Sequence, residues 1–548
     1  MKPWFRPYLG FLVLVAALGL AVDQVLARRR VLEVPRFRAF AGNAEAAEIR
    51  EVAERVDNAF DAAWKAAGLE CSPPAPPLTV YRRVSLALTG TIPSLAEIRA
   101  LESHSAGEDT LSLWVSYLLA DRRSSDYLAE RFARAMVGVE DGPFILYRRH
   151  RLVSWLSDQI HRNRSYGEWA RDLIASSGIW TTRPEVNFVT VTVDPNNEQE
   201  GPDEVRLAAR VSRAFLGVRI DCVQCHDDKF SDRWKQTHFH ELASFFARAE
   251  MSITGVRDNP EKKYEYRYLG RSEKEPVLPQ VPFQENLLPA DGALRDRLAR
   301  WVTHPENRPF ARTLVNRAWA LLFQRPLHEP LESIPLDGPF PPGMEILADD
   351  LIAHDFDLHR LLRVIASTRV FRLDSTLPAG RREIQAEAVR TFAAFPLTRL
   401  RPEQVAGSLL QSASLKTVDA NAHVLSRVIR HFQQRDFVRH YGDAGSDEFE
   451  VVPGTIPQRL VLMNGSLVKE RTKDDLVMNA ATRIAALAPA PSAAVEAAYL
   501  AVLTRRPSPE ESRHFVDRLE NDAKVSRAHH LEDLYWTLIN STEFAWNH

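Results

Sequence analysis

Two of the three cysteines in this 548-residue chain sit in one short string, Cys222-Val223-Gln224-Cys225-His226. Thiols at that spacing share a single local turn, and an imidazole follows at once. The pattern serves three chemistries. It matches the attachment of c-type haem through two thioether bonds, with His226 as an axial iron ligand. It supplies half of a zinc site, which then recruits two more ligands from His226, Asp227, Asp228, His238 or His240. In an oxidising compartment it closes a disulfide and needs nothing else.

A haem site also calls for an apolar pocket and usually a distal ligand. His238, His240 and Met251 are near in sequence, and Met463 is a distant candidate. His238 and His240 are two apart on a helical pattern, so they point about 200° from each other and at most one faces the same metal. The bland alternative is that both flank Phe239 as ordinary half-exposed residues. Other chemistries lack their motifs: there is no G-x-S-x-G, no Walker loop and no G-x-G-x-x-G. His240-Glu241 begins like a zincin helix, but Ser244 stands where the second histidine belongs. Asp349-Asp350 and Asp474-Asp475 read as solvated faces or caps, and Trp234, Trp301 and Trp319 as core aromatics.

Composition sets the stage for that turn. The chain is 45% hydrophobic and 26% charged, with net charge −2, so it has no overall basic field for nucleic acid. Lys2 and Arg6 precede an apolar run from Tyr8 to Val22, which suits a signal h-region better than a full span. Val25-Leu26-Ala27 offers a cleavage site, whereas Arg28-Arg29-Arg30 resembles a stop-transfer flank. Residues 1–27 are therefore expected to be a signal peptide or membrane anchor that exports the rest. Haem is attached on that outer side of the membrane, and disulfides persist there.

Helical spacing dominates the remainder. Residues 28–77 hold a helix from Asn43 to Ala67 and a Pro-rich linker, Ser72 to Pro77. Ser94-Leu95-Ala96-Glu97 is a capping box, and patterns over Leu111–Ala120, Asp126–Val137, Leu152–His161, Tyr166–Ser176 and Glu204–Leu216 predict helices. A further helix is expected from about Trp234 to Arg248. Val186 to Val193 is β-branched and alternating, which predicts a strand, as does Lys263 to Tyr268. The fold class is mainly α: two helical domains, 78–250 and 291–548, with a small β insertion in a connector over 251–290. Asp194 to Glu204 lacks calcium-loop spacing and reads as a solvated loop.

Several strings together resemble one family. Tyr81 to Pro93 (YRRVSLALTGTIP), Ala214 to Val218 (AFLGV), Cys222 to Asp227 and the tail Phe230, Trp234, Phe239, Leu242, Phe245-Phe246 are similar to the planctomycete cytochrome-C-type domain, domain of unknown function 1549. Pro309 to Trp319, Gly454 to Gln458, Leu462 to Gly465 and Asn540 to Phe544 resemble its companion, domain of unknown function 1553. The resemblance spans residue 78 to the end and implies an exported, often surface-associated bacterial protein with no settled activity. The family commonly reads C-x-x-C-H-D-H; here Asp228 replaces the last histidine, which puts any ligand role of that position in doubt.

The expected function is a membrane-anchored, periplasm-facing or cell-surface redox protein carrying haem c on Cys222, Cys225 and His226, with a protein redox partner. His240, His238 and Asp228 are the additional candidate metal ligands. The alternative is a non-catalytic envelope scaffold with zinc or a disulfide at the same residues. A third reading places an enzyme site in the second half, near Asn316-Arg317 or Met463-Asn464.

Overall fold

A computed structural model describes residues 43–104, 109–139, 147–194, 201–229, 233–377, 382–418, 434, 436–442, 449, 454–476, 479–522 and 524–548. The apolar N-terminal run and Phe230 lie outside the described residues. Among those described are 22 α-helices and three two-stranded sheets. The mainly α class and the small β insertion are as the sequence predicts.

The first core is wrapped by α1 (Asn43–Ala66), α2 (Pro77–Thr89), α3 (Leu95–Glu102), α4 (Thr110–Ala120), α5 (Arg122–Val137), α6 (Arg149–His161) and α7 (Tyr166–Ala175). α8 (Asn187–Thr190), α9 (Glu204–Leu216) and α10 (Gln236–Ala243) follow. Beyond the β insertion, α11 (Leu294–Val302), α12 (Arg308–Phe323), α13 (Met344–Ala353), α14 (Leu358–Ser367) and α15 (Gln385–Arg390) pack into that same core. Its buried apolar residues run from Ile49 to Phe395, and α12 is buried on every side from Pro309 to Phe323. A helix buried all round has no solvent face to present and belongs at the centre.

The second core begins at Leu400. It comprises α16 (Pro402–Ser412), α17 (Ile456–Asn464), α18 (Ser466–Thr472), α19 (Ala480–Leu487), α20 (Pro491–Leu503), α21 (Pro509–Asn521) and α22 (Arg527–Ile539). Leu86, Ile92, Leu95 and Ile98 from the N-terminal part complete it. The packing therefore divides near residue 400, and α2 and α3 serve both sides.

Two buried arginines on α2 tie the parts together. Arg82 donates to the carbonyls of Val502 (3.4 Å) and Phe544 (3.1 Å). Arg83 donates to those of His548 (2.7 Å), Phe371 (3.1 Å) and Leu373 (2.7 Å), with its guanidinium 3.6 Å above the Phe395 ring. Burial pulls their pKa values down to about 10 and about 9, with Glu543 and Asp374 opposing the fall, so both stay charged at neutral pH. α2 ends at Gly90 in the left-handed region (φ +68°), where a Cβ would meet the Tyr127 ring at 2.4 Å. The Ser94–Glu97 capping box then opens α3.

One expectation is overturned. Val186 to Val193 forms no strand: a 3-10 turn at Pro184–Val186 runs into the short helix α8. Every residue from Val186 to Val193 is buried, so alternation carried no information about a solvent face. Asn187 closes the turn instead, donating to the carbonyls of Trp180 (2.9 Å) and Pro184 (2.8 Å) and accepting from the Arg148 amide (2.7 Å). The helix expected over Trp234–Arg248 is shorter, α10 followed by a 3-10 turn at Ser244–Phe246.

The β insertion pairs β1 (Ala249–Ser252) with β2 (Gly255–Asp258), and β3 (Glu265–Tyr266) with β4 (Glu275–Pro276), both antiparallel. β3 is the central part of the strand expected over Lys263–Tyr268. A third pair, β5 (Thr398–Arg399) with β6 (Trp546–Asn547), fastens the C-terminal residues to the start of the second core.

Candidate functional site

The thiol turn follows directly from the end of α9. Asp203 caps that helix by accepting from the Arg206 amide (2.9 Å), and Gly217 ends it with φ +59°. A Cβ at Gly217 would meet Thr313 Oγ1 at 2.6 Å, so glycine lets the chain turn tightly against α12. Val218, Ile220 and Val223 are buried in the first core and pin the underside of a 3-10 turn at Asp221–Gln224. The Val223 amide donates to the Ile220 carbonyl at 3.1 Å.

Above that anchor the reactive groups face outward. Cys222 and Cys225 are both free and exposed. Cys222 Sγ is 3.7 Å from the Arg219 carbonyl; partial burial and the nearby Asp221 and Asp228 raise its pKa, so it is no activated thiolate. His226 Nδ1 lies 2.7 Å from the Asp227 carbonyl oxygen. A carbonyl only accepts, so Nδ1 carries a proton, and the neutral ring then keeps its lone pair at Nε2.

The other expected ligands have different employment. His238 Nδ1 accepts from the Lys235 amide at 3.3 Å, with its ring edge-on to Trp234. His240 is fully buried beneath the turn, with both nitrogens engaged. Its Nε2 lies 3.0 Å from the Gln224 carbonyl oxygen and must donate to it; its Nδ1 then accepts from the Tyr264 hydroxyl at 2.8 Å. The ring stacks on Tyr266 with centroids 3.4 Å apart. Burial lowers the His240 pKa, with the Gln224 hydrogen bond opposing, so the ring is neutral at neutral pH. Asp228 donates its amide to the Trp234 carbonyl (3.0 Å). Met251 is half-buried in β1, and Met463 lies on α17 beside the second core. Among the described residues, no group of three or more His, Cys, Asp or Glu side chains comes together as a metal-holding set.

The second-half candidates brace structure. Asn316 is fully buried, donating to the carbonyls of His328 (2.9 Å) and Leu331 (3.2 Å) and accepting from the His328 amide (2.8 Å). Arg317 pairs with Glu332 at 3.4 Å. A cavity of about 160 Å³ lies elsewhere, lined by Arg50, Asp57, Asp109 and Arg372 among others. Sequence reasoning missed Gln224, Gln236, Tyr264 and Tyr266. The one available signal was the alternation of Tyr264, Tyr266 and Tyr268, which put three phenols on one face without saying what they meet.

Residues 55–251 match the family model PSCyt2, described as a protein of unknown function (DUF1549), and residues 294–519 match PSD1, a protein of unknown function (DUF1553). No curated protein and no solved structure matches the chain. The matched segments part between 251 and 294, whereas the buried cores part near 400. With its two models in that order, the chain belongs to the DUF1549 family joined to its DUF1553 companion, both of unknown function.

Proposed function

We propose that this protein is an exported redox carrier that holds haem c at the Cys222–His226 turn. The supporting observation is the orientation of the His226 ring. Its Nδ1 proton is committed to the Asp227 carbonyl, and this is how an imidazole is oriented when its other nitrogen binds a metal. The exposed cysteines Cys222 and Cys225 would hold the haem covalently through their sulfurs. His226 Nε2 would ligate the iron, and the haem would supply one-electron exchange. Export rests on the apolar run Tyr8–Val22; among the described residues no helix is long and apolar enough to cross a membrane. The exposed turn is the docking point for a protein redox partner.

The exposure of both thiols also favours a second reading, an envelope scaffold whose turn closes as a disulfide or takes zinc. One experiment separates them. The full chain is expressed with haem-maturation machinery, denatured, and examined for a covalent Soret-absorbing species. Covalent haem on the wild type, lost in Cys222→Ser, is the expected result. A haem-free chain with stoichiometric zinc or an oxidised pair would reject the redox reading in favour of the scaffold.

A further inference from the structure

We infer that Gln236, His240 and Tyr266 form a positioning cradle for the thiol pair, acting through the main-chain carbonyl of Gln224. Gln224 lies between the cysteines, and its oxygen has donors from three side chains: Gln236 Nε2 at 3.1 Å, His240 Nε2 at 3.0 Å and the Tyr266 hydroxyl at 3.3 Å. A carbonyl oxygen has two lone pairs, so three converging donors exceed what satisfying it requires. Each donor is itself held. His240 is clamped by Tyr264 and stacked on Tyr266, and Gln236 Oε1 accepts from the Leu269 amide at 3.1 Å.

A second tie closes the other side. Asp227 Oδ1 accepts from the Gln236 amide at 2.8 Å, at the start of α10. Cys225 and His226 are thus bracketed, with Gln224 fastened before them and Asp227 after them, both to the first turn and body of one helix. His240 serves the site as a positioning residue, acting on the turn through the Gln224 carbonyl, and not as a ligand. The three donors come from α10 and β3, and it is the small β insertion that delivers Tyr264 and Tyr266 beneath the turn.

The inference rests on the turn being the working part of the protein, but its test uses the haem-free full chain and so fails separately from haem attachment. The probe is phenylarsine oxide, whose arsenic bonds both sulfurs of a paired dithiol with loss of one water. His240→Phe keeps a stacking ring and removes the donor; His240→Gln keeps an amide donor but is a poor metal ligand. Loss of one hydrogen bond predicts that His240→Phe weakens arsenical binding on the order of fivefold, with His240→Gln within about twofold of wild type. Hydrogen exchange of the 220–226 amides should quicken in His240→Phe alone. Tyr266→Phe, which removes a single oxygen, is expected to weaken binding about twofold and covers the case where His240→Phe does not fold. Equal binding by wild type, His240→Phe and Tyr266→Phe overturns the cradle. So does equal loss in His240→Phe and His240→Gln, or a wild type that does not bind the arsenical.

Discussion

The arginine pair on α2 and the thiol turn after α9 both lie in strings that mark the first half of the chain, and they are built on opposite principles. Arg82 and Arg83 are sealed in the interior and donate to carbonyls of Phe371, Leu373, Val502, Phe544 and His548. The thiol turn buries Val223 and fastens the Gln224 carbonyl, and leaves both cysteines exposed with His226 half-buried beside them. A string whose polar atoms are consumed inside the fold is architecture. One whose polar atoms are held firmly but left open is equipped to meet something else.

That contrast makes graded predictions. The largest effect belongs to Arg83→Ala, which strands the buried carbonyls of Phe371 and Leu373 and opens space beside Phe395. It should cost about 3–5 kcal/mol in urea unfolding. A loss under about 1 kcal/mol would show that the arginine is not a structural tie.

Next comes pH. Burial, with Arg363 and His161 nearby, holds the His359 pKa down to about 4 from its ordinary 6.5, against the pull of Asp357. The unfolded chain therefore takes up this proton first as pH falls. Stability present above pH 6.5 is lost on descending towards about 4, approaching 3 kcal/mol in order of magnitude. Unfolding of wild type and His359→Gln across that range should converge at low pH, and parallel curves would remove the histidine from the frame's pH response.

Smaller still is Ser94→Ala. Ser94 Oγ accepts from the Glu97 amide at 3.1 Å, and the Glu97 carboxylate accepts from the Ser94 amide at 2.8 Å. Loss of this cap should lower stability by about 1 kcal/mol in thermal unfolding.

The smallest stability effect is expected at the turn. Cys222→Ser with Cys225→Ser should change unfolding by no more than about 0.5 kcal/mol, because both side chains are exposed, while abolishing every covalent adduct at the turn. A large destabilisation there would erase the distinction between the frame and the turn.

Much of the frame was readable from local signals. α9 spans Glu204–Leu216 as its spacing predicts, and the capping box at Ser94 stands where Glu97 places it. Those features depend on residues within a turn of one another, so a linear string contains them. Val186–Val193 was misread because period-2 alternation marks a strand only when one face meets water, and here none does. Gln236 was invisible because an amide becomes part of a site only through the carbonyl it reaches.

By itself the amino-acid sequence determined the helical class, the compact thiol–imidazole string and its family, since each is written in neighbouring residues. Only the tertiary structure decided what His240 does, because its two partners come from Gln224 and from Tyr264, 24 positions further on. It also decided that α2 belongs to both cores, with Arg82 reaching carbonyls more than 400 residues away. Hydrogen bonds at that separation are set by packing of the whole chain, and no local pattern encodes them.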